Sequence, residues 1–140
     1  MSRIEWTSLH AKFLKVIFES FCDKKIRYFV LRNYEELPEQ NNAKDVDIVI
    51  EPNKYHEVSN ILISAMHISD IQYYTITQFD RMRCWHIVDY RLKFAIHIDI
   101  IENEIYKGFE YFNFETLYAN TINYKGFTVL NKAMNTVMLL

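Results

Sequence analysis

Between Phe94 and Ile101 the sequence alternates with period two, and one carboxylate interrupts it. Phe94, Ile96, Ile98 and Ile100 fall on one side of an extended strand; Ala95, His97, Asp99 and Ile101 fall on the other. Such a segment demands a sheet with one face buried, and it strands Asp99 among apolar neighbours. A lone buried carboxylate is costly unless it is paired or holds a metal ion. A second segment, Asp45-Val46-Asp47-Ile48-Val49-Ile50, is dominated by β-branched residues and reads as another strand. Alternation puts Asp45 and Asp47 on one side, away from Val46 and Ile48. Two carboxylates about 6–7 Å apart along one strand repel each other. A divalent cation is a natural counter-charge, and Mg²⁺ takes hard oxygen ligands together with substrate phosphates. If the two strands are neighbours, three acids meet on one sheet face. Three carboxylates with two metal ions make a site for in-line phosphoryl or nucleotidyl transfer.

The rest of the chain supplies a scaffold for such a sheet. Its 140 residues are the length of one domain, and 50% hydrophobic with 16% aromatic residues is enough to build a core. Charged residues at 24%, spread along the chain, exclude disorder and coiled coil as the main state. Trp6, Leu9, Phe13, Leu14, Ile17 and Phe21 recur at three- and four-residue steps and predict an amphipathic helix from Ile4 to about Phe21. Tyr28–Leu31 reads as a strand, 32–44 as a loop marked by Pro38 and Asn41-Asn42, and 45–50 as the next strand. Asn53 is placed to cap a helix from Lys54 to about Met66. Strands are expected at 71–77, 81–88 and 94–101, with Tyr90–Lys93 as a hairpin turn that lacks Gly or Asn. Residues 108–122 read as partly helical, 127–130 as a short strand, and a final helix begins near Asn131. Its apolar end, Val137–Leu140, either packs on the core or continues into a longer protein. The order predicts one α+β domain over 1–140, a mixed sheet with helices mainly on one face and the other face free for a site.

Charge and cysteine usage exclude several classes. With 16 Lys+Arg against 18 Asp+Glu the net charge is -2, which argues against a general nucleic-acid binder. No leader pattern and no apolar run near the roughly 20 residues of a membrane span is visible, so a soluble, cytoplasmic protein is expected. Cys22 and Cys84 have the spacing of neither a disulfide framework nor a zinc site and read as buried free thiols. His97 shares the Asp99 side and reads either as a ligand for metal or phosphate or, the favoured reading, as a hydrogen-bonded structural residue. Arg81 and Arg83 read as phosphate contacts or as charges guarding a strand edge. Tyr73 and Tyr74 read as cross-strand partners sooner than as base-stacking rings. Tyr111, Phe112, Phe114, Leu117 and Tyr118 read as core, or as a contact surface for a C-terminal region or a second copy. His10, His56, His67 and His86 form no metal-spaced group.

The stretch VLRNYEELPEQNNAKDVDIVI, from Val30 to Ile50, resembles the opening motif of the polymerase-β-type nucleotidyltransferase superfamily: a strand, a short turn, then Asp-x-Asp opening the next strand. The acid of HIDII resembles the third catalytic carboxylate of that superfamily. The Leu-Arg-Asn-Tyr-Glu-x-Leu-Pro variant is most similar to small bacterial nucleotidyltransferase-like proteins, some tied to cell-surface polysaccharide synthesis. The resemblance covers roughly Tyr28 to Ile101. It implies a Mg²⁺ (or Mn²⁺) dependent transfer of a nucleoside monophosphate from a nucleoside triphosphate to a small-molecule, sugar or lipid-linked hydroxyl. Asp45, Asp47 and Asp99 would hold metal, with Asp99 also acting as general base. Arg32, Asn33 and Lys44 would hold the triphosphate. The chain departs from the superfamily at Arg32-Asn33, where Gly-Ser or Gly-Gly is usual. The Arg32 guanidinium matches a phosphate well, and equally could fill the space a triphosphate needs. A binding or scaffold module that keeps this fold without catalysis is the alternative implied.

Overall fold

The structure, a computed structural model, describes residues 4–41, 45–79, 82–102 and 113–134. In chain order the elements are α1 (Ser8–Asp23), β1 (Tyr28–Val30), β2 (Asp45–Ile50), α2 (Tyr55–Ile68), β3 (Tyr74–Phe79) and β4 (Met82–Asp89). A 3-10 turn (Tyr90–Leu92), β5 (Phe94–Glu102), α3 (Phe114–Tyr118), β6 (Thr121–Tyr124) and β7 (Phe127–Leu130) follow. The described strands form one seven-stranded sheet in the order β3-β4-β5-β2-β1-β7-β6. β2 runs parallel to β5 and β1 parallel to β7; the other neighbours are antiparallel. This is the mixed α+β sheet expected.

Both long helices cover one face. Phe13, Leu14, Ile17, Phe18 and Phe21 of α1 and Val58, Ile61, Leu62, Ala65 and Met66 of α2 pack on Val46, Ile48, Ile50, Ile96, Ile98 and Ile100. These sheet residues are the apolar halves of the two alternating segments, and each fully buried aliphatic contributes about 1.5–3 kcal/mol. On the opposite face a smaller cluster of Phe29, Leu31, Val49, Ile101 and Leu130 lies under Phe114 and Leu117 of α3. Among the described residues, no helix is long and apolar enough to cross a membrane.

Local chemistry moved several boundaries. α1 starts at Ser8, because Thr7 accepts a hydrogen bond from the Leu9 N–H at 3.3 Å and its own N–H donates to His10 Nδ1 at 3.0 Å. His10 is buried, and its Nε2 reaches the Ala95 carbonyl at 3.1 Å, tying α1 to β5. Asn53 does not cap α2. It takes a left-handed φ of 69° in the preceding turn. The first N–H of α2, at Tyr55, instead donates to Glu102 Oε2 at 3.3 Å. Arg83 belongs to that assembly: it pairs with Glu102 at 3.1 Å and lies 3.8 Å over the Tyr55 ring. It lies on the helix-covered side, away from the side that carries the acids; Arg81 lies outside the described residues.

The Tyr90–Lys93 connection is held by the buried Asp89, which accepts from the Arg91 and Gln72 N–H groups. The Arg91 guanidinium keeps the Asp89 carboxyl below its ordinary range. The tail differs more from expectation. Within 113–122 the described helix is Phe114–Tyr118 and Thr121–Tyr124 is a strand, while residues 132–134 are helical, as expected for a helix beginning near Asn131. Lys125 and Gly126 both take positive φ (51° and 89°), the tight turn that joins β6 to β7 as a hairpin. Tyr111 and Phe112 lie outside the described residues.

Candidate functional site

The site is built by register. β2 and β5 pair so that Asp47 faces Asp99 and Asp45 faces His97. On the far side of β5, Cys84 faces Asp99 and His86 faces His97. Facing residues share a side of the sheet. Two rows therefore cross β4, β5 and β2 on the side opposite α1 and α2: Cys84–Asp99–Asp47 and His86–His97–Asp45. Asp45, Asp47 and Asp99 therefore share the side of the sheet opposite α1 and α2.

Their surroundings are tightly coupled. His97 Nδ1 lies 3.1 Å from Asp45 Oδ1, and its Nε2 lies 2.8 Å from Asp99 Oδ1. Nε2 and Oδ1 are both buried, and neither has a hydrogen-bond partner. Arg32 Nε reaches Asp47 Oδ2 at 3.3 Å. Burial raises the Asp47 carboxyl above its ordinary range and the Asp99 carboxylate raises it further, while Arg32 opposes both. Burial, reinforced by Asp99, pushes the Cys84 thiol up to about 12. Carboxylate oxygens are the donor type Mg²⁺ or Mn²⁺ takes, and Asp45, Asp47 and Asp99 offer them from one side of the sheet.

The loop after β1 presents Arg32 to this face. The Leu31 N–H donates to the Asp47 carbonyl at 2.9 Å, extending the pairing one step past the strand. Tyr34 and Leu37 are buried, and the Tyr34 hydroxyl donates to the Leu130 carbonyl at 3.0 Å. Trp6 Nε1 donates to the Pro38 carbonyl at 2.8 Å. The apolar members of Leu-Arg-Asn-Tyr-Glu-x-Leu-Pro thus anchor the loop and leave Arg32 half-exposed. Asn33 is exposed with a left-handed φ of 57°, a conformation that glycine adopts freely. Asparagine there preserves the turn while adding a side chain. Lys44 lies outside the described residues.

Sequence reasoning missed Cys84 as a member of the site. Cysteine was judged on its spacing to the other cysteine, whereas its neighbour here is an acid fifteen positions along the chain, brought opposite by the β4–β5 pairing. Cys84, His97 and Asp99 each offer one ligand atom, all within 4.8 Å of one another. Cys22, expected to be buried, is exposed near the end of α1. Tyr74 stacks on Trp85 at 5.1 Å, a cross-strand role, and Tyr73 is exposed.

No protein-family model matches this chain. No curated protein sequence matches it either. Among solved structures it is similar to terminal uridylyl transferase 4 from Trypanosoma brucei with bound GTP, at 12% identity and a TM-score of 0.36, over 70% of this chain. The chain spans 31% of that protein's length. A TM-score this low leaves the chemistry to be argued from the side chains.

Proposed function

We propose that this protein is a metal-dependent nucleotidyltransferase, moving a nucleoside monophosphate from a nucleoside triphosphate to a hydroxyl of a small-molecule, sugar or lipid-linked acceptor. The observation that supports the proposal is the register of β2 on β5, which puts Asp45, Asp47 and Asp99 on one side of the sheet. Asp45, Asp47 and Asp99 would hold Mg²⁺ or Mn²⁺, which would supply charge neutralisation for the triphosphate and the departing pyrophosphate. Arg32 lies at the same edge, 54% exposed, and turns from Asp47 to a phosphate oxygen when nucleotide enters. Asp99, unsatisfied at Oδ1, takes the proton of the attacking hydroxyl. The exposed free thiol of Cys22 suits a reducing cytoplasm.

The second reading is a nucleotide-binding or scaffold module that has lost catalysis. One observation favours it: His97 already stands between Asp45 and Asp99, and Arg32 already partners Asp47, so the acids have neighbours of their own within the chain. Thermal shifts with each of the four nucleoside triphosphates, with and without Mg²⁺ or Mn²⁺, separate the two. Metal-dependent stabilisation that vanishes in Asp45→Asn/Asp47→Asn supports the transferase. Stabilisation independent of metal, or none with any nucleotide, supports the module.

A further inference from the structure

We propose that Cys84, His97 and Asp99 form a second site on this face, for a thiophilic divalent cation of the Zn²⁺ class, with ligand chemistry distinct from that of the all-oxygen acidic set. One sulfur, one imidazole nitrogen and one carboxylate oxygen lie within 4.8 Å of one another. Thiolate and imidazole are donors that Mg²⁺ ignores and Zn²⁺ or Co²⁺ selects. Ligands around tetrahedral zinc stand about 3.3–3.7 Å apart, given bond lengths of about 2.0–2.3 Å. Adjustments of about an ångström at side-chain torsions therefore close the cage without moving a strand.

Three further features point the same way. The backbone pre-sets the donors: Cys84 and Asp99 are direct cross-strand partners, and His97 is two residues from Asp99 on the same side of β5. His97 Nε2 and Asp99 Oδ1 are buried, close, and without a hydrogen bond, which a shared cation between them corrects. Asp45 stands 3.1 Å from the other ring nitrogen, Nδ1, leaving Nε2 to bind. A carboxylate on the outer nitrogen of a metal-ligating histidine orients the ring and raises its basicity. Asp45 is thus a positioning residue for this site. Three protein ligands leave a fourth position for water or a substrate atom. Because Asp99 belongs to both sets, zinc here withdraws it from the hard-cation site and inhibits transfer. That consequence rests on the transferase reading; zinc binding itself does not.

The test uses the whole chain, stripped of metal and reduced. Titration with Co²⁺ is followed by absorption, with Zn²⁺ affinity measured against a chromophoric chelator. The expected result is a near-ultraviolet thiolate-to-cobalt band, with tetrahedral visible bands, saturating at one equivalent. The band persists in Cys22→Ser and is lost in Cys84→Ser. Asp45→Asn keeps the band and weakens Zn²⁺ about 10–100-fold, as for other outer-shell partners. Absence of a thiolate band in the unaltered protein, its loss in Cys22→Ser, or its survival in Cys84→Ser overturns the proposal. The first two outcomes decide even if Cys84→Ser fails to fold. None of these readouts uses nucleotide, so a failed zinc site leaves the transferase reading standing, and the reverse.

Discussion

Removing the Asp47 charge should make the metal-free protein more stable. Asp47 and Asp99 face each other across neighbouring parallel strands, whose spacing is about 4.8 Å. Two unit charges about 5 Å apart repel by about 3 kcal/mol at an effective dielectric constant near 20. The Arg32 ion pair is half-exposed and returns at most about 1 kcal/mol. Asp47→Asn therefore gains about 1–2 kcal/mol at pH 7.5 in EDTA, or about 3–8 °C in melting temperature for a chain this size. The sign follows from linkage. The Asp47 carboxyl titrates higher in the folded state than in the unfolded chain, so the folded state binds its proton more tightly. The penalty is full above that raised folded value. It shrinks as pH falls through it and is gone below the ordinary carboxylate range near 4. Paired melts of the two proteins in EDTA from pH 8 to 4 measure it, and the advantage of the variant should narrow toward acid. A variant less stable than the parent at pH 7.5 would mean that hydrogen bonds hold the acids in place, and the reasoning about charge crowding would be refuted.

Native thiol labelling at pH 8 in EDTA should modify Cys22 alone, because Cys84 is buried and its thiol stays protonated far above that pH. Mass spectrometry of the peptides checks this, and rapid labelling of Cys84 would contradict the burial of the site row. His10→Ala removes the N3 partner of the α1 cap and the tie to Ala95, and should cost about 2–3 kcal/mol in urea unfolding. A loss under about 0.5 kcal/mol, the size of an ordinary surface substitution, would show that α1 docks without it.

The chemistry of the fold was legible because it is periodic. Alternation in 45–50 and 94–101 predicts both strands and sorts Asp45, Asp47, His97 and Asp99 to the polar side without any knowledge of neighbours. Helix periodicity likewise predicts which face of α1 is buried, since Phe13, Leu14, Ile17 and Phe21 lie on one stripe. β7 was read from the sequence at 127–130, but its hairpin partner β6 was hidden, because four residues are too short for a pattern to declare itself. The Asn53 cap failed because asparagine serves left-handed turns as readily as helix starts.

Which strand lies beside which is a matter of pairing energy summed over the whole sheet, and nothing local encodes it. That single tertiary decision set Asp99 between Asp47 and Cys84, and His97 between Asp45 and His86. The amino-acid order alone carried the acids, their side of each strand and the need for a counter-charge. Only the folded sheet could bring a sulfur to the same spot, because a cross-strand neighbour is close in space while remaining arbitrarily far along the chain.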